Sequence, residues 1–140
     1  MPTTMNTVSW TRFAFAVLAG GIVSSMTDWL FMGDWLYRRY NAHPEIWRVH
    51  GGDETKAILW ASALPFLTCG VFDAVCVGLH LRSYGATLKL ALAVWLIGPL
   101  PLIIVNSLFI KIEAGIAAAH AVGWLVKLLV AALSLTLIVR

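Results

Sequence analysis

Residues 115–139 read GIAAAHAVGWLVKLLVAALSLTLIV. This run of 25 residues holds one formal charge, Lys127, and one imidazole, His120. About 20 mainly apolar residues suffice to cross a bilayer. Three further runs are long enough: Phe13–Met32, Ala57–Leu81 and Leu88–Ile110. None alternates apolar with polar as a barrel strand does, and lipid offers backbone groups no hydrogen-bond partner, so each run predicts a helix. The expected fold is all-α: one domain, a four-span transmembrane helical bundle with an interfacial segment between spans one and two.

Composition supports this reading. Of 140 residues, 60% are hydrophobic and 12% charged, and mean hydropathy is +0.83. A soluble domain is about 25% charged, and a short chain buries the smaller share of its surface. A soluble globular domain, a disordered chain and a disulfide scaffold are all excluded. Ten Lys and Arg against seven Asp and Glu give a net charge of +3. No basic block exists beyond Arg38-Arg39, so nucleic acid is not an expected partner; bases flanking membrane spans account for the charge. Cys69 and Cys76 fall seven residues apart in one run. On a helix that separates them by about 10 Å, too far for a disulfide. Arg12 and the run behind it begin like a signal peptide, but the run continues to Met32 with no Ala-x-Ala site. The expectation is a first helix that stays attached.

The 24 residues Gly33–Lys56 form the one long connection. Trp35, Tyr37, Tyr40 and Trp47 are interleaved there with Arg38, Arg39 and Arg48. Rings and basic heads together suit the headgroup region, so these residues are candidate interfacial anchors. A short helix is expected, broken near Asn41–Pro44, with Asp53 capping the second span. Arg82–Thr87 and Lys111–Ala114 are expected as tight turns. The side bearing both termini carries Arg12, Arg82, Lys89 and Arg140 and no acid; the other carries five bases and five acids. The base-only side is expected to be cytoplasmic.

Polar residues inside the runs are the most informative. A charge at mid-bilayer costs at least about 2.5–3.5 kcal/mol, so such groups face the interior or a cavity. Asp28, Asn106 and His120 lie about 9–10 Å from the middle of their spans, all towards the side away from the termini. Lys127 sits near mid-membrane on the His120 face, its stem able to reach Asp28 or, in the other direction, Asp73. Two readings stand side by side. These residues form a proton, ion or small-ligand site, or they are interhelical hydrogen bonds that fix register. Span two carries a second stripe, Cys69, Asp73, Cys76 and His80. Only Asp73, Cys76 and His80 are near enough to share a metal ion, and an interior polar face is preferred over a metal site. His80 and His120 lie at different depths, which disfavours haem, and no nucleotide, nucleophile or zinc motif is present. No cofactor is expected.

Small residues recur at four-residue spacing: Ala16, Gly20 and Ser24; Gly70, Ala74 and Gly78; Gly115, Ala119 and Gly123. They predict close helix packing, with a homo-oligomer interface as the second reading. Pro99 and Pro101 predict a kink in span three.

A set of short motifs carries a resemblance. Phe31-x-Gly33-x-Trp35 follows Gly21 and Asp28-Trp29; Ala93-x-Trp95-Leu96-x-Gly98 precedes Asn106-x-x-Phe109; Ala119-His120-x-x-x-Trp124 lies in span four. Together they resemble a family of small bacterial four-helix membrane proteins, domain of unknown function seventeen sixty-one. Where that family has an aromatic-Ser-Pro segment, this chain has Asp28-Trp29-Leu30. The resemblance implies four helices in a bacterial inner membrane. It implies no activity and transfers no residue roles. The expected function is a binding or transport-type module built on the Asp28–Asn106–His120–Lys127 layer. The alternatives are an accessory subunit of a larger membrane complex, and a membrane enzyme on a lipid-soluble substrate with Asp28 or His120 as acid or base. The enzyme stands last, because no nucleophile or cofactor site is recognisable.

Overall fold

A computed structural model describes residues 8–42 and 54–139. Helix α1 spans Trp10–Phe31 and runs on through a π-helical turn, Met32–Leu36, into the short α2, Tyr37–Asn41. Then come α3 (Glu54–Gly78), α4 (Tyr84–Ile97), α5 (Pro99–Phe109) and α6 (Ala114–Ile138). No strand occurs among the described residues. Four helical lengths, with α4 and α5 counted as one, are long and apolar enough to cross a membrane, and the chain is a multi-pass helical membrane protein. Trp47, His43, His50 and the expected cap Asp53 lie outside the described residues.

Helix α6 is the hub. It packs against α1, α3, α4 and α5, whereas α1 also packs on α3. Its buried face recurs about every fourth residue, through Ile116–Ala117, Ala121, Lys127–Leu128, Ala131–Ala132 and Leu135–Thr136. That is the period of one helical face. Leu128, Ala131, Ala132 and Leu135 join Cys69, Phe72 and Cys76 of α3 and Ala91 of α4 in the core cluster. The large apolar side chains that remain exposed, among them Trp29, Ile97 and Phe109, are spread over the outer helix faces, where lipid is the solvent.

The small-residue stripe of α1 faces inward: Ala16, Gly20, Gly21 and Ser24 are its buried residues. A Cβ on Gly20 would lie 2.7 Å from Ser134 Oγ and 3.2 Å from Cys69 Sγ, and one on Gly21 would run into the Phe66 ring. These glycines let α1 approach α3 and α6 closely. The stripe of α3 does not behave this way. Ala74 and Gly78 are exposed, and a Cβ on Gly78 would meet nothing.

Two boundaries differ from the sequence expectation for clear reasons. Helix α3 ends at Gly78 rather than Leu81. His80 takes φ 56°, and the chain closes with Leu81 N–H on the Cys76 carbonyl and His80 N–H on the Val77 carbonyl. This is a left-handed C-terminal cap, a conformation in which histidine is enriched several-fold among non-glycine residues. The turn is therefore residues 79–83, not 82–87, and Ser83 caps α4 by accepting from Ala86 N–H at 3.3 Å. The third span is split, not merely kinked. Gly98 leaves helical geometry at φ −117° and ψ −87°, and Pro99 opens α5, where a missing N–H is harmless.

Gly21→Ala should destabilise the bundle by about 1–3 kcal/mol through overpacking against Phe66. The pair Gly21→Ala/Phe66→Ala should lose less than the sum of the single losses, as read by unfolding in mixed micelles. His80→Gly should be neutral or stabilising by up to about 1–2 kcal/mol, because glycine enters the left-handed region without the Cβ penalty.

Candidate functional site: a polar cluster between α1 and α6

Asp28 is the last member of the inward stripe of α1, one turn beyond Ser24. Lys127 occupies the middle of α6, on its buried face. Their side chains form an ion pair, Nζ to Oδ2 2.7 Å, with the lysine 10% and the aspartate 26% exposed. Helical side chains lean towards their own N-terminus. In α6 that direction is towards the α1–α2 end of the bundle, so Lys127 meets Asp28 and not Asp73. The ammonium also lies 4.8 Å from the centroid of the Trp124 ring, one turn back on the same helix. Such a contact adds about 0.5–2 kcal/mol to a desolvated cation.

His120 lies two turns before Lys127. Its Nε2 shares a hydrogen bond of 2.9 Å with the Tyr40 hydroxyl. Tyr40 reaches this position because the helix continues past the π turn into α2. Burial pushes its phenol above the ordinary value, so it keeps its proton at neutral pH. Beside it, Arg39 pairs with Glu113, the N-cap residue of α6, and stacks 4.2 Å from the centroid of the Trp35 ring. A carboxylate suits the positive end of a helix dipole. An open apolar groove of about 380 Å³ runs nearby, between Leu30, Phe31 and Trp35 on one wall and Gly115, Ala119 and Val122 on the other.

Other residues singled out from sequence are placed elsewhere. Asn106 is half-buried on α5, which packs on α4 and α6, and no hydrogen bond joins it to Asp28, His120 or Lys127 among the described residues. The break at Gly98 makes α5 an outer element of the bundle. Trp35, Arg39 and Tyr40 are engaged with one another or with α6, while Tyr37 and Arg38 lie on the exposed side. His80 is exposed in the turn after α3 and has left the face that carries Asp73 and Cys76. Among the described residues, no three His, Cys, Asp or Glu side chains converge to hold a metal ion. Cys69 and Cys76 are free and buried. Cys69 faces Ser24 of α1 at 3.7 Å, sulfur to hydroxyl. Sequence reading missed Tyr40, Trp124 and Ser24 as members of this region. Trp124 was within reach of the i, i+3 rule applied to Lys127, but nothing in the sequence foretells a helix that continues through Met32–Leu36 to deliver Tyr40.

Removing one partner of a buried ion pair leaves an uncompensated charge and costs about 3–5 kcal/mol. Lys127→Met alone should therefore unfold far earlier in detergent than the wild type. Asp28→Asn/Lys127→Met together should stay within about 1 kcal/mol of it or exceed it. Equal losses in the single and double variants would show that the pair does not form. No family model, curated protein or solved structure matches this chain.

Proposed function

We propose that this chain is a small proton-transporting membrane module whose working site is the cluster Asp28, Lys127, His120 and Tyr40. The observation that carries this reading is the acid–base pair at 2.7 Å between Lys127 in the middle of α6 and Asp28 near the end of α1, with a second hydrogen-bonded pair, Tyr40–His120, nearer the start of α6. The pair sets a group that can accept a proton beside one that can donate it, and the Tyr40–His120 hydrogen bond lies between it and the end of α1–α2. Histidine is the side chain whose ordinary titration falls nearest neutral pH. His120 stands two turns before Lys127 on α6 and is tied by Tyr40 to the end of α1–α2, so it serves as the entry relay. The arrangement needs no cofactor and no nucleophile.

The bacterial inner membrane is the proposed location, supported by the resemblance noted above. The end of the bundle carrying Arg12, Arg82 and Lys89 is proposed to face the cytoplasm, supported by the absence of acids there. In that orientation His120 and Tyr40 receive protons from the opposite side.

Purified protein in liposomes holding a pH-sensitive dye tests the reading. With a potassium-diffusion potential imposed, the wild type should acidify the lumen faster than empty vesicles. Asp28→Asn/Lys127→Met, which keeps the fold, should run at the empty-vesicle rate. His120→Ala should slow uptake from the Tyr40 side. A wild type indistinguishable from empty vesicles, or a double variant as fast as wild type, overturns the proposal.

A further inference from the structure

Asp73 is the other acid of the bundle interior, and the cluster between α1 and α6 does not use it. It is 0% exposed, and both carboxylate oxygens lack a hydrogen-bond partner among the described residues. Its position on α3 falls between Cys69, Phe72 and Cys76, the face that packs on Leu128, Ala131, Ala132 and Leu135 of α6. We propose that Asp73 is a proton-binding site in the bundle core, occupied as the neutral carboxylic acid in the resting protein and separate from the Asp28–Lys127 pair.

The surroundings decide the ligand. A bare carboxylate in such a medium is so unfavourable that the group neutralises itself instead. The charged and titratable groups on the elements packed against α3 are few. Helix α1, antiparallel to α3, brings an exposed Arg12 near the level of Asp73 and Asp28 towards its other end; α6 brings His120 and Lys127, and α4, whose Ala91 joins the same core, brings an exposed Lys89. Lys127, the cation within the packed core, is held by Asp28. On α3 itself the neighbours are Cys69 and Cys76, both free thiols. Among the described residues, no group of metal-binding side chains gathers at Asp73 as a bound cation demands. A proton is the neutralising species that needs neither a cavity nor further ligands.

The bundle also supplies a line of proton-bearing groups to this acid. Cys69 is one helical turn from Asp73 on the same face of α3. Its sulfur faces Ser24 Oγ at 3.7 Å, and Ser24 is one turn from Asp28 on α1. This route rests on the proton reading of the Asp28 cluster; the site at Asp73 does not.

Infrared spectroscopy of the full chain in liposomes tests the site. At neutral pH the wild type should show the carbonyl stretch of a protonated carboxylic acid without a hydrogen bond. The band should shift on carbonyl-¹³C aspartate labelling and resist exchange in D₂O, because the group is sealed from water. It should be equal in choline and sodium buffers, vanish in Asp73→Asn and survive in Asp28→Asn. Should Asp73→Asn fail to fold, persistence of the labelled, exchange-resistant band in Asp28→Asn/Lys127→Met assigns it instead. Absence of the band in wild type overturns the proposal. So does its loss in sodium but not choline, which would assign a cation, and so does its disappearance in Asp28→Asn with persistence in Asp73→Asn. None of these outcomes depends on measured proton flux, so the site and the transport reading stand or fall separately.

Discussion

A lysine in the middle of a membrane helix has to be neutralised, and the Asp28–Lys127 pair does this across the α1/α6 seam. The rest of the bundle is arranged so that the pair can form. Aspartate is short, so α1 must come close to α6, and Gly20 and Gly21 remove the side chains that would hold the helices apart. Lysine is long and leans towards the start of α6, which sets the offset between the two helices. Because an unpaired charge at this depth is so costly, the pair fixes one register where apolar surfaces in lipid would permit several.

The position of α6 follows from that seam. It is the helix that touches each of the other long elements, and it carries both the buried lysine and the alanine-rich face of the core. The Trp95 indole donates to the Ala121 carbonyl at 2.8 Å, tying α4 to the same helix. Towards the far end, Arg39–Glu113 and Tyr40–His120 bind the extension of α1 along the first turns of α6. Polar contacts thus recur along one seam while lipid-facing surfaces stay apolar. The two acids of the interior differ in burial and in partners. Asp28 meets a cation, whereas Asp73 meets thiols and hydrocarbon.

Much of this was legible in the residues. Long apolar runs cannot be hidden in a chain of this length, so four spans followed from composition and length. The inward face of α1 was legible because small residues recur at every fourth position up to Asp28. The span of α3 was misplaced by three residues, because hydropathy continues through Leu79 and Leu81 although the helix has already closed on a left-handed His80. That same cap removed His80 from the stripe it appeared to share with Asp73 and Cys76. Asn106 had the right depth but sits on α5, and depth along an axis says nothing about which neighbour a helix faces. Tyr40 was read as a headgroup anchor, since aromatic and basic residues together suit an interface; its contact with His120 depends on the π-helical turn, which has no sequence signature here.

Solid-state NMR of the protein in bilayers, with labelled lysine and aspartate, tests the central claim most directly. The account predicts a charged Lys127 ammonium in direct hydrogen-bond contact with the Asp28 carboxylate, with cross-peaks between the two side chains and none from Lys127 to Asp73. A Lys127 nitrogen that shows no close carboxylate, or whose carboxylate partner is Asp73, would contradict the register of α1 on α6 and the site built upon it.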